Sequence, residues 1–138
     1  MQKFIKEVCV DSIKDAMRAI DLGANRIEYC SKLIEEGLTP DIEEVKYLLK
    51  NTCIPIRILI RPHSKSFNYS EKDTSIMLRD ISNFKKIGVD GIVIGCLNQY
   101  REIDLKKINL FVKNAKPLKV IFHKAIDSTK DPLKSFKI

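Results

Sequence analysis

The sequence predicts an α/β protein whose parallel sheet is built from about five βα units. Two observations support this prediction: five short apolar runs end in polar or reactive side chains, and four of them precede a helix-like stretch. Strands that alternate with helical patterns indicate βαβ units. The runs cover residues 4–10, 26–30, 56–61, 91–95 and 120–123. Five strands are too few to close the barrel that this pattern resembles.

The first two units are bounded by helix caps and breakers. Asp11 or Ser12 is placed to cap a helix that ends at Gly23. A polar loop follows the second run and leads to a helix over about residues 42–50.

The later units show the same signals. Pro55 opens the third strand, where proline costs least, and the following loop over 62–69 is longer than a minimal connection. A helix then begins near Ser70 and stops at Gly88. The fourth strand is apolar throughout, as expected when both faces are buried. A fourth helix is expected at residues 104–115, a fifth strand at 118–123 and the start of a fifth helix from 131 onward.

Composition bounds the class of protein. The 138 residues fit one domain over 1–138, and 44% hydrophobic with 31% charged residues is typical of a globular chain. No run approaches the roughly 18 apolar residues of a membrane-spanning helix, and charge comes too early for a secretory signal. The four cysteines lack CxxC spacing, so reduced thiols and a cytoplasmic location are expected.

The net charge of +7 is spread along the chain, with lysines often beside acids. Such charge is mostly a solvated surface, so neither specific nucleic-acid binding nor a membrane partner is expected. The basic excess would still favour a small anionic ligand in a cleft.

Strand parity separates an aliphatic face from a polar one. The aliphatic face belongs under helices, and the polar face must line an interior, a cleft or solvent. Buried charges there should neutralise one another or meet a ligand. The polar-face residues are Glu7, Cys9, Arg26, Glu28, Cys30, Arg57, Arg61 and His123.

Two interpretations of Glu7 and Glu28 remain open. Paired carboxylates on neighbouring strands could act as general acid and base, or hold a hard cation. Alternatively, they belong to a structural ion-pair network with Arg26 and Arg57.

Cys9 and Cys30 are expected at matching strand ends. Two thiolates on adjacent strands suit a soft ion such as Cu(I), and His123 could add an imidazole. The alternative is that both are ordinary small buried residues, which is common for free cysteine. Cys53 is predicted to serve packing, and Cys96 has no evident partner.

Arg61, His123 and Asp127 form a second candidate cluster. Arginine would bind a carboxylate or phosphate, and His123 could transfer a proton near neutral pH with Asp127 positioning it. The alternative for His123 is a strand-end histidine bonded to the backbone.

An ordered set of motifs resembles the CutC family, named for copper homeostasis, whose members are cytoplasmic TIM-barrel proteins. The resemblance runs from about Phe4 to Leu133. The motifs are E-V-C-V-D-S at 7–12, G-A-N-R-I-E-Y-C at 23–30, E-G-L-T-P at 36–40, I-R-P at 60–62, F-N-Y-S at 67–70, D-G-I-V-I-G at 90–95 and F-H-K-A-I-D at 122–127.

The resemblance implies a (β/α)₈ barrel, usually of about 250 residues, of which this chain would supply the first five strands as a partial, C-terminally truncated TIM barrel. It also implies that Cys9 and Cys30 are the proposed copper ligands. The set matching Glu7, Glu28, Arg61, His123 and Asp127 looks like an enzyme pocket.

Three positions depart from the family pattern. His63-Ser64-Lys65-Ser66 stands where arginine, a glycine pair and an acid are usual, Lys124 replaces an arginine, and Glu36 replaces a glycine. These departures leave an inactive, truncated copy as an alternative to a copper protein or an enzyme.

Two open parallel edges are expected in such a partial barrel. We therefore expect the chain to associate with itself or with a complementary C-terminal fragment.

Overall fold

The computed structural model describes residues 4–138, which form a five-stranded parallel sheet in the order β1-β2-β3-β4-β5. The predicted α/β class with about five βα units is confirmed. The strands are β1 Glu7–Val10, β2 Arg26–Tyr29, β3 Ile56–Leu59, β4 Gly91–Ile94 and β5 Lys119–Phe122.

Helices connect and flank the strands near the predicted positions. Ser12 accepts a hydrogen bond from the Asp15 backbone, and Ser70 with Asp73 forms a capping box. Gly88 ends its helix in the left-handed region, at φ 86°. The helices are α1 Ile13–Asp21, α2 Ile42–Asn51, α3 Glu71–Ile87, α4 Leu105–Ala115 and α5 Pro132–Phe136, with 3₁₀ turns at Leu33–Glu35 and Lys124–Ser128.

The strands are shorter than the apolar runs that predicted them. β1 begins at Glu7, and the side chains of Phe4 and Ile5 are 85% and 60% exposed, since neither packs against a neighbouring element. At the carboxyl end, the backbone N–H groups of Cys30 and His123 still bond to neighbouring strands, on the carbonyls of Val10 and Ile94. The residues that end the runs therefore lie just beyond the ladder, in defined positions.

The two faces of the sheet differ as the strand parity predicts. The helix-covered face contains the larger apolar core, with Ile27, Ile58 and Ile92 fully buried. The opposite face has a smaller apolar cluster, which consists of Cys30, Leu59 and Val93 with Ile121 packed against it. No helix within residues 4–138 combines the length and the apolar character needed to cross a bilayer.

Gly95 allows the chain after β5 to approach β4 closely. A Cβ atom at this position would collide with the imidazole of His123 and would lie 2.8 Å from the Cβ of Ala125. Glycine is therefore required here for space, because the His123 ring occupies the volume that any side chain would need.

Replacing Ile58 by Ala should lower the free energy of unfolding by about 2–5 kcal/mol, because the residue is fully buried and the change leaves a cavity. Urea denaturation followed by circular dichroism measures this. The matched control is Ile34→Ala at a 96% exposed side chain, which should change the free energy by less than about 0.5 kcal/mol. Equal losses from both variants would contradict the burial described.

Gly95→Ala should lower the free energy of unfolding by about 1–3 kcal/mol, because the new methyl group overpacks the His123 ring. His123→Ala removes the ring, so the double variant should recover part of the loss. Strictly additive effects in this double-mutant cycle would show that the two side chains do not compete for one space.

Candidate functional site

A cavity of about 660 Å³ lies at the carboxyl ends of the strands, on the face away from the helices. Ligand sites of parallel α/β proteins are found at this edge. Its apolar wall comprises Leu33, Leu59, Phe67, Val93, Ile121, Phe122 and Ile126. Its polar and ionisable members are Cys9, Glu28, Cys30, Glu36, Arg61, His123 and Lys124.

The thiols of Cys9 and Cys30 meet at this cavity. The neighbouring Cys30 thiol lowers the pKa of Cys9, and the neighbouring Cys9 thiol, together with burial, raises the pKa of Cys30. Cys30 also donates to the Val10 carbonyl at 3.6 Å, and Cys9 donates to Glu28 Oε1 at 3.8 Å. The pair thus contains one thiol that ionises readily and one that holds its proton.

Few side chains near the two thiols could serve as metal ligands. Within residues 4–138, no group of three or more His, Cys, Asp or Glu side chains is arranged to hold a metal ion. His123, considered in the sequence as a further ligand, therefore does not join the two cysteines. Two adjacent sulfur donors remain, and they fit a soft ion that accepts few ligands better than a hard cation.

Glu28 lies between the thiol of Cys9 and the charged side chain of Arg57 in the sheet. Its neighbours in register are Cys9 on β1 and Arg57 on β3. Burial, and then the negative charge of Glu7, raise the pKa of the Glu28 carboxyl. Glu28 lines the cavity and is placed to exchange a proton with a bound group.

Glu7 lies at the floor of the sheet and is not part of the cavity lining. It accepts hydrogen bonds from Arg26 Nε and, at 3.5 Å, from Arg57 Nη1. Arg57 Nε also forms an ion pair with Asp90 Oδ2 at 3.1 Å. Lys119 Nζ forms a further ion pair with Asp90 Oδ1, also at 3.1 Å. These contacts match the structural ion-pair network that the sequence left open for Glu7, with Asp90 and Lys119 added to it.

Arg61 is a buried cation, with 3% of its surface exposed. Its Nη1 donates to the backbone carbonyls of Glu35, Glu36 and Gly37 at 3.2, 3.4 and 3.2 Å. Its Nη2 donates to the Ser64 carbonyl at 3.4 Å. Among the described residues, no carboxylate lies within ion-pairing distance of Arg61, so peptide carbonyls and the face of the Phe67 ring stabilise its charge.

His123 is bonded to the backbone, as one of its two sequence interpretations proposed. Its Nδ1 accepts from the Ala125 N–H at 3.1 Å, which places the proton of the neutral ring on Nε2. Burial, and then the charges of Arg61 and Lys124, lower the pKa of His123 to about 4. The ring is therefore neutral near pH 7 and a weak base, and its role in proton transfer remains a prediction.

Asp127 lies on the 3₁₀ turn after β5, with its side chain exposed. It makes no hydrogen bond to His123 within the described part of the chain, so the two residues that share a motif are not brought together. Cys53 is also exposed, so its predicted packing role is wrong. It lies in the connection between α2 and β3.

Sequence reasoning missed the residues that surround Arg61. Phe67 lies with its ring centroid 4.7 Å from the Arg61 guanidinium carbon and 5.2 Å from the His123 centroid. Tyr69 is 2% exposed. Both belong to the loop between β3 and α3, and its excess length was the available signal.

Glu36 and Lys124 join two cavity loops. Lys124 Nζ lies 2.9 Å from Glu36 Oε1, and this contact lowers the pKa of Glu36. The parity argument did not predict this bridge, because Lys124 lies on a 3₁₀ turn rather than on β5.

Comparison with known proteins gives consistent matches. The family model described as the CutC family matches residues 4–138. A family protein CutC of Mesorhizobium japonicum is 37% identical over 131 residues, covering 95% of this chain and 51% of that protein. The "Copper homeostasis protein cutC homolog" of Homo sapiens is 38% identical over 130 residues, covering 94% of this chain and 48% of that protein.

A solved structure shows the same architecture. The crystal structure of the putative copper homeostasis protein CutC from Streptococcus agalactiae aligns with a TM-score of 0.89 and 27% identity, covering 98% of this chain and 67% of that one. The chain spans about half the length of the curated relatives given above. The family model and these relatives agree with the partial TIM-barrel architecture, and the chain belongs to the CutC family.

Proposed function

We propose that this chain serves copper homeostasis by binding Cu(I) between Cys9 and Cys30. Relatives named as copper homeostasis proteins support the general role. The observation that carries the finer proposal is that both cysteines line one cavity at the ends of adjacent paired strands. Copper is then a cargo ion held by two soft donors.

The thiol pair is suited to capture in two steps. The thiolate is the ligand form of cysteine, and the lowered pKa of Cys9 makes it the first to bind. The Cys30 proton must then leave, so binding releases protons and strengthens as pH rises. Apolar Leu59 and Val93 keep water from the sulfur of Cys30, whereas Cys9 is exposed and open to an arriving ion.

The cytoplasm is the proposed location. The described cysteines, Cys9, Cys30, Cys53 and Cys96, are all free thiols, which accords with a reducing compartment.

An enzyme acting on a small anionic substrate is a second candidate function. The observation that favours it is Arg61, a buried positive charge at the cavity without a carboxylate partner in the described residues. Arg61 would hold the anion, Glu28 would exchange a proton, and His123 would donate a hydrogen bond. The catalytic roles predicted for Glu7 and Asp127 remain predictions, since both lie outside the cavity lining.

We also propose self-association, or pairing with a complementary fragment. The outer edges of β1 and β5 have no strand partner within residues 4–138. An apolar groove lies beside each edge: Val8, Val10 and Ala19 line one, and a second lies between α4 and β5. Open edges with adjacent apolar surface favour docking of further strands and helices.

The Cys9→Ser/Cys30→Ser variant should lose Cu(I) affinity by roughly 100-fold or more, since even outer-shell changes at metal sites cost about 10–100-fold. Competition with a chromophoric Cu(I) chelator under anaerobic conditions measures this. Cys53→Ser, at an exposed free thiol, is the matched control and should bind like the unchanged chain. Equal affinity of the double variant and the control would remove the thiol site.

Light scattering at increasing concentration should give a mass above the 15.9 kDa of one chain, because the sheet edges are open. Ile5→Lys, which adds charge at an exposed position just before β1, should shift the distribution toward single chains. A monomeric peak at every concentration, with a cooperative melt, would contradict association.

A further inference from the structure

Three buried polar atoms, one on Arg61 and two on residues near it, have no hydrogen-bond partner among residues 4–138. They are Arg61 Nε, Tyr69 Oη and His123 Nε2. Buried polar groups are normally satisfied, so a group of orphaned atoms in one region indicates a bound species. A fourth such atom, His63 Nδ1, belongs to a ring whose other nitrogen contacts Asp73 at 3.3 Å.

All three atoms can donate a hydrogen bond. Arg61 Nε always carries hydrogen, and the Tyr69 hydroxyl is a donor, since burial keeps the pKa of Tyr69 raised, at about 12. His123 Nε2 carries the ring proton because Nδ1 accepts from the Ala125 backbone. The region thus offers donors and a positive charge, with no carboxylate to receive them.

The three groups lie close to one another. Arg61 stacks over the Phe67 ring at 4.7 Å, and the His123 ring lies 5.2 Å from the same ring. Arg61 is also near enough to Tyr69 and to His123 to act on the pKa of each. Arg61, Phe67 and His123 all line the cavity.

We propose that Arg61 Nε, Tyr69 Oη and His123 Nε2 form a subsite for the oxyanion of a small carboxylate or phosphate ligand. The ligand enters from the cavity, which Arg61, Phe67 and His123 line, while Tyr69 is buried outside that lining. The inference rests on the second candidate function, that the cavity takes a small anion, and it names the groups that recognise the anion.

The subsite differs chemically from the thiol pair. The fixed positive charge of Arg61 repels a metal cation, so Cu(I) and the anion would occupy separate parts of the cavity. The role of His123 also changes, from acid or base to neutral hydrogen-bond donor. A neutral imidazole in this role stabilises an oxyanion without giving up its proton.

Tyr69→Phe tests the subsite, because it removes only the orphaned hydroxyl. Calorimetric titration with inorganic phosphate and, separately, with pyruvate should show about a 10-fold or greater loss of affinity for whichever probe binds. The melting temperature should be unchanged or higher, since the hydroxyl has no protein partner to lose. Tyr47→Phe, at a 48% exposed tyrosine, is the matched control and should alter neither property.

A second readout on the unchanged chain observes Arg61 directly. The ¹H–¹⁵N resonance of its Nε, assigned by comparison with Arg61→Lys, should shift as the binding probe is added. Comparison of phosphate with pyruvate identifies the source of the oxyanion.

Two failures are distinguishable. If neither phosphate nor pyruvate binds the unchanged chain, both the small-anion function and the proposed subsite are wrong. If a probe binds with equal affinity to the Tyr69→Phe variant and leaves the Arg61 resonance unmoved, the anion lies elsewhere in the cavity. That result overturns the subsite while the candidate function stands.

Discussion

The parallel register of the strands determines on which face each polar side chain lies. Cys9, Glu28 and Arg57 are neighbours across β1, β2 and β3, so their side chains share the face that the helices leave uncovered. Shifting any strand by one residue would exchange its polar and aliphatic sets. The hydrophobic core under the helices and the cavity on the other face therefore depend on the same pairing.

Arg61 organises the cavity on this frame. Its guanidinium binds the carbonyls of the loop after β2, stacks on Phe67 and lowers the pKa of His123. This buried cation retains much of its field, because no carboxylate within the described residues neutralises it. Loop position and aromatic packing thus depend on this charge, which adds to burial in lowering the pKa of His123.

One cavity combines two kinds of chemistry. The thiols of Cys9 and Cys30 lie at the ends of β1 and β2, whereas the donors of Arg61 and His123 lie beside Phe67 in the cavity lining. Two of the departures from the family pattern, Glu36 and Lys124, contact each other beside it. Both side chains are largely exposed, so loss of either partner would cost little free energy of folding.

Sequence alone determined the strand positions, the two faces of the sheet and the gathering of Cys9, Cys30, Glu28 and Arg61 at one edge. Periodicity encodes these features because side chains alternate along a strand and parallel strands end together. Only the tertiary structure decided that Glu7 pairs with Arg26 and that His123 keeps its proton on Nε2. Pairing, tautomer and burial depend on contacts between elements and on loop paths, and no local pattern in the chain specifies them.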